Sequence, residues 1–216
     1  VVSQNLFNIF KLYSSRNFIF LEPGGNFGDA IIYQGAYKLA NQANLLYEKV
    51  NFQKFMNAEY PSETVIYIHG GGGINNFWSG KPIKSLKKAL SQHQGIVILG
   101  PQTFQIHNNF LDHFVKETLN QVCAEKVYLF CREMVSYEQL KNNVPANIDI
   151  FLDHDTALNL TKEDFHTKQT RGSYVLTCMR SDKELNLNQE YNFLSRWIDP
   201  ITSSHIKPLS LGIVFE

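Results

Sequence analysis

Thr64-Val65-Ile66-Tyr67-Ile68-His69-Gly70-Gly71-Gly72-Gly73-Ile74-Asn75-Asn76-Phe77-Trp78 joins two kinds of text that physical chemistry reads differently. Residues 64–69 are a short run of β-branched, aliphatic and aromatic side chains, apolar at successive positions as a strand covered on both faces must be. The run then meets four glycines in succession. That arrangement costs conformational entropy a mere turn does not require, so close approach of backbone to a ligand is the expected reason. A buried strand ending in such a loop is one unit of a parallel sheet, and the fold depends on whether the chain repeats it.

The chain does repeat it. Runs 18–21, 44–50, 95–99, 126–131, 148–152 and 173–179 read as further strands, and stretches 29–42, 82–93, 108–122 and 133–142 between them carry helical spacing, with Pro82 acceptable in a first turn. Alternating strands and helices predict an α/β fold, a Rossmann-like parallel sheet of about six or seven strands with helices on both faces. The polar stretch 161–172 reads as a linker, which divides the chain into a first domain over 1–170 and a second over 171–216.

Composition narrows the function classes. The chain has 216 residues, 44% of them hydrophobic, enough for a large core. Twenty Lys and Arg balance twenty Asp and Glu, so the electrostatic footprint for nucleic acid or an anionic membrane is missing. The longest apolar stretches, 96–99 and 127–131, fall far short of the roughly 18 to 20 residues that span a bilayer. Cys123, Cys131 and Cys178 are odd in number and never spaced as C-x-x-C, which points to a reducing compartment, the cytoplasm. Residues 1–13 lack the layout of a secretory signal, and with Val1 in place of Met the true N-terminus is expected upstream.

Segments 23–29, 70–78, 100–104, 132–136 and 153–156 each follow a strand directly. In an open parallel sheet the carboxyl ends of the strands share one edge, so these loops converge on a single crevice. Gly24-Gly25-Asn26-Phe27-Gly28-Asp29 opens a helix, where free N–H groups favour an anion or a polar oxygen. Its spacing is not G-x-G-x-x-G, and Glu48, inside the second strand, is a poor ribose partner. The segment either faces a ligand or serves as a helix start capped by Asn26 or Asp29. His69 reads either as a general acid/base or as a packed neutral imidazole. Asn76 and Trp78 supply an amide and a stacking surface for a sugar, or seal the loop. His107, His113, Asp153, His154 and Asp155 form no recognisable metal-ligand set.

These ordered motifs, Glu22-Pro23-Gly24-Gly25-Asn26-Phe27-Gly28-Asp29, His69 to Trp78, Gly100-Pro101-Gln102-Thr103-Phe104, Arg132-Glu133 with Ser136, and Asp153 with Asp155, resemble those of the polysaccharide pyruvyl transferase family. The resemblance covers roughly 18–183. It implies a GT-B-like architecture of two Rossmann-like domains and transfer of a pyruvyl group from phosphoenolpyruvate onto a sugar of a surface polysaccharide or its precursor. Phosphoenolpyruvate is then a co-substrate, and no cofactor or metal is implied. On this likeness Gly24, Gly25, Asn26, Gly28, Gly71, Gly72, Gly73, Asn76, Gln102, Arg132 and Ser136 would contact the acceptor, Arg180 and His205 the donor, and His69, Asp29 or Glu133 would move the proton.

The family usually carries a whole second domain after the arginine matched by Arg180, whereas 181–216 is short, so that domain is expected to be partial. Thr202-Ser203-Ser204-His205 is only faintly similar to the basic donor segment. Two rival readings accompany this one: a GT-B-type glycosyltransferase using a nucleotide sugar, and a non-catalytic sugar-binding member.

Overall fold

The computed structural model describes residues 1–75, 80–104, 113–141, 143–165, 176–178 and 213–215. The chain divides into two compact units, Val1–Gly25 with Asp29–Asp164, and Asn26–Gly28 with Phe165–Glu216. In the first unit the strands are β1 (Asn17–Glu22), β2 (Leu46–Asn51), β3 (Val65–Ile68), β4 (Gly71–Ile74), β5 (Ile96–Phe104), β6 (Lys126–Cys131) and β7 (Ile148–Leu152). They form one seven-stranded sheet of order β2-β1-β3-β5-β6-β7, with β4 also paired to β5, and every pairing is parallel. The α/β, Rossmann-like class expected from the sequence is the fold observed.

Helices α1 (Gln4–Leu12), α2 (Phe27–Gln42), α3 (Phe52–Asn57), α4 (Lys81–Gln92) and α5 (Met134–Leu140) supply the covering layers, with a π-helical turn at Val115–Leu119. Pro82 lies in the first turn of α4, where its missing N–H costs nothing. Alternation along the strands sends Ile19, Leu21, Ile66, Ile68, Val97 and Leu99 into one core with Phe55, Leu86, Leu90 and Leu140. It sends Phe18, Phe20, Tyr67, Ile98 and Phe130 into the other, with Leu6, Phe10, Tyr33 and Tyr37 of α1 and α2.

Three features depart from the sequence reading. The glycine run is itself a strand: Ile68 pairs with Leu99, Gly71 with Gln102 and Ile74 with Phe104, so β4 continues the line of β3 after a break at His69-Gly70. Segment 100–104, expected as a loop, is the outer half of the nine-residue β5, which offers β4 its edge. The run around Leu176–Cys178 does not join the parallel sheet but pairs antiparallel with Ile213–Phe215. The domain boundary expected at residue 170 and the first part of the helix expected over 108–122 lie outside the described residues.

A clasp joins residues far apart in sequence. The N–H groups of Val2 and Ser3 donate to Asn159 Oδ1 at 2.9 and 3.2 Å, Leu6 N–H donates to Asp153 Oδ2 at 2.8 Å, and Asn5 Nδ2 donates to the Leu152 carbonyl at 3.1 Å. Asp153 thereby serves a structural end, capping the start of α1. Among the described residues no helix is long and apolar enough to cross a membrane.

Candidate functional site

The strand order turns back at β1, which lies between β2 and β3. An open parallel sheet places its crevice outside the carboxyl ends of the two strands at such a point, here β1 and β3. Both are followed by glycines. Gly25 has φ 152° and Gly71 φ 140°, conformations side chains rarely adopt. A Cβ on Gly25 would collide with the Asp29 carboxylate, and one on Gly71 would stand 3.3 Å from Asp29 Oδ1. Asp29, half-buried in the first turn of α2, therefore sits against both glycine segments; its carboxylate excludes a side chain at Gly25, while at Gly71 the positive φ is what strains one.

Two tyrosines of α2 secure the β1 side. Tyr33 donates to the Gly24 carbonyl at 2.8 Å, and the Tyr37 hydroxyl donates to Glu22 Oε1. Burial raises both phenols well above their ordinary value; nearby Asp29 and Glu22 add to the effect at Tyr33 and Glu22 at Tyr37, so both remain neutral donors.

On the β6 side Arg132 is the organising charge. Its Nε donates to Thr103 Oγ1 at 2.6 Å and its Nη1 to Asp155 Oδ2 at 2.7 Å, while a Cβ on Gly72 would lie 3.5 Å from Nη2. Asp155 also caps the turn at Thr156–Asn159 through the Ala157 N–H. One guanidinium, in the loop that follows β6, thus ties the outer end of β5 to the loop that follows β7 and stands beside β4.

Several residues expected to meet ligand are held as framework in this structure. His69 is 1% exposed and ringed by Tyr33, Tyr37, Tyr67 and Phe20, with centroids 4.2, 5.1, 5.0 and 5.6 Å away. Neither ring nitrogen has a partner among the described residues. Burial, with the Lys49 charge second, holds this imidazole well below its ordinary value, so it is neutral and sealed from solvent. Gln102 is 1% exposed, its amide bonded to the Thr103 carbonyl. Ser136 is fully buried, its hydroxyl donating to Glu133 and accepting from Phe104 N–H. Glu133 caps α5 by accepting the Ser136 N–H. Gly73 faces the Pro82 ring rather than open space.

His69 is thus enclosed by rings with neither nitrogen bonded among the described residues, while Gln102 and Ser136 are buried with their polar groups bonded to the framework. Asn26 accepts the Gly28 N–H at 2.7 Å, the helix-start role the sequence also allowed. Asn76, Trp78, His107, Arg180 and His205 lie outside the described residues. Sequence reasoning passed over Glu22, Lys81 and Thr103 as site groups. Glu22 stands inside a quoted motif, whereas Lys81 carries no motif signal at all. Among the described residues no three His, Cys, Asp or Glu side chains gather as a metal site requires.

No curated protein matches the chain. Among solved structures it resembles a functionally uncharacterised protein from Klebsiella pneumoniae with a TM-score of 0.63 at 19% identity, covering 85% of this chain and 66% of that one, a likeness of fold. The chain thus spans slightly less than two thirds of that relative's length. The family model described as polysaccharide pyruvyl transferase matches residues 26–215, nearly the whole chain, including Asp29, the glycines of β4 and Arg132, and the protein belongs to that family.

Proposed function

We propose that the protein transfers a pyruvyl group from phosphoenolpyruvate to two hydroxyls of a sugar in a surface polysaccharide or its precursor, forming a cyclic ketal. The observation that carries this reading is the meeting of Gly25, Gly71 and Asp29 at the turning point of the sheet, inside a chain matched to the family over 26–215. In this scheme the methylene carbon of phosphoenolpyruvate takes a proton and one sugar hydroxyl adds to the neighbouring carbon. The second hydroxyl then displaces phosphate; of the two hydroxyl protons, passed on in turn by a base, one makes good the proton given to the methylene carbon and the other leaves with phosphate.

Of the three carboxylate or imidazole candidates, Asp29 fits the base best. His69 is sealed among aromatic rings, whereas Asp29 stands half-buried against both glycine segments at the turning point of the sheet. Arg132 shapes the acceptor side, and by family resemblance Arg180 and His205 meet the donor.

Phosphate release from phosphoenolpyruvate, measured across a panel of lipid-linked and nucleotide-linked sugars, tests the reading. Release that depends on acceptor is expected, and Asp29→Asn should slow it by about a hundredfold or more, the scale of general acid–base catalysis. Turnover of a nucleotide sugar with no release from phosphoenolpyruvate would replace this reading with glycosyl transfer.

A further inference from the structure

Beyond the carboxyl ends of β1 and β2, against the start of α4, lies a cavity of about 460 Å3. Its size is within the range of about 300 to 1,000 Å3 typical of small-molecule sites. Glu22, Asn51, Phe52, Gln53, Asn57 and Lys81 supply most of its lining. It shares Gly24 with the loop that leads to Gly25 and Asp29, yet none of its polar side chains belongs to the scheme above.

The hydrogen-bonding state of these groups defines what the cavity can bind. Glu22 takes the Tyr37 hydroxyl on Oε1, and its Oε2 has no partner among the described residues. Asn51 accepts the Lys54 N–H at 2.9 Å with its carbonyl oxygen, leaving its amide NH2 to donate. Asn57 donates to the Gln53 carbonyl at 3.1 Å, leaving its own oxygen to accept. Lys81 has no ion-pair partner among the described residues; its ammonium lies 5.7 Å from the Phe52 ring centre, and a Cβ on Gly24 would stand 3.8 Å from it. The cavity therefore offers donors and acceptors interleaved, one negative and one positive charge that cancel, and a ring face.

Vicinal hydroxyls both donate and accept, and a sugar ring also presents a C–H face suited to an aromatic platform. An anionic group would meet Glu22 as a like charge. We infer that this cavity is a subsite for a neutral sugar ring, the unit of the acceptor next to the one that lies over Gly25, Asp29 and Gly71. The inference rests on the saccharide-acceptor reading above and adds to it a location, a charge class and a residue set. Tyr37, whose ring also faces the Lys49 ammonium at 3.6 Å, is a positioning residue that fixes the Glu22 carboxylate.

Saturation-transfer NMR on the full chain tests this without relying on turnover. The probes are methyl β-glucopyranoside, methyl β-galactopyranoside, glucuronate and inorganic phosphate. The neutral glycosides should bind and the two anions should not. Glu22→Gln and Lys81→Ala should each weaken glycoside binding by about tenfold, the scale of a hydrogen bond to a charged group. Lys81 is exposed, so its truncation leaves the fold intact even if Glu22→Gln does not. Tighter binding of glucuronate or phosphate than of the glycosides, or unchanged glycoside binding in folded Lys81→Ala, overturns the inference. If glycosides bind as expected while no acceptor supports phosphate release, pyruvyl transfer fails and the subsite stands. If release occurs and both variants keep the wild-type acceptor KM, the subsite fails alone.

Discussion

The two faces of the sheet are built of different materials at alternate positions of the same strands. Ile19, Leu21, Ile66, Ile68, Val97 and Leu99 line one core, whereas Phe18, Phe20, Tyr67 and Phe130, with Phe10, Tyr33 and Tyr37 from the helices, line the other. Aliphatic side chains finish where they are buried. Tyrosines carry a hydroxyl as well, and although that of Tyr67 has no partner among the described residues, those of Tyr33 and Tyr37 reach the Gly24 carbonyl and Glu22 at the crevice. The aromatic face is thus the one mechanically connected to the candidate site, while the aliphatic face only supports it.

The largest effect that could break this contrast is at Phe20, whose ring meets Tyr67 at 4.6 Å, Tyr47 at 4.7 Å, Phe10 at 5.7 Å and Tyr37 at 5.7 Å. Phe20→Ala should cost about 3 to 5 kcal/mol in urea unfolding, and a loss near 1 kcal/mol would mean the rings are not interlocked. At the edge beyond both faces, Arg132→Ala should cost about 1 to 2 kcal/mol, since its bonds to Thr103 and Asp155 are charge-assisted but partly solvated. Thermal unfolding of Arg132→Ala beside Arg132→Lys should show that lysine recovers little, because one ammonium cannot serve Thr103 and Asp155 in the same fork.

His69 gives the aromatic face a pH signature. Its imidazole is held neutral when folded, by burial and by Lys49, whereas in the unfolded chain it titrates near its ordinary value of about 6.5. Below that pH the unfolded chain takes up a proton the folded chain refuses. Stability is therefore full at neutral pH and falls as pH drops, by up to about 1.4 kcal/mol per unit. His93, also depressed by burial, acts in the same direction. Urea titrations from pH 7 to pH 5 should give a shallower slope for His69→Phe than for the parent; equal slopes would mean the imidazole is reached by solvent. The smallest change belongs to the aliphatic face, where Ile66→Val should cost about 0.5 to 1.5 kcal/mol and leave acceptor binding untouched.

Much of this was readable in the sequence because the inner strands β1, β3, β5 and β6 are covered on both sides and are therefore apolar over most of their length. β4 was not, since Gly71, Gly72 and Gly73 have no side chains to show a period, and only the overhang of β5 makes them a strand. α3 has six residues, below the length at which a helical period becomes visible. At the site, Asp29, Arg132 and the glycines stood out by type and position. The burial of His69 depends on rings from β1, β3 and α2 that meet only on folding, and the cavity at Lys81 depends on the ends of β1 and β2 and the start of α4, which share no motif.

The clasp between residues 2–6 and 152–159 closes a sequence separation of 147 to 157 residues. Loop-closure entropy makes such a contact expensive until the intervening sheet has assembled, so it forms late in folding and opens early in unfolding. Protection of the Leu6 amide in pulsed hydrogen exchange should accordingly lag that of β3 and β5. Because Asp153 receives Leu6 and Asp155, two residues on, receives Arg132, each opening of the clasp slackens the anchor of the guanidinium. The first turn of the first helix is in this sense a timer on how long the crevice keeps its shape.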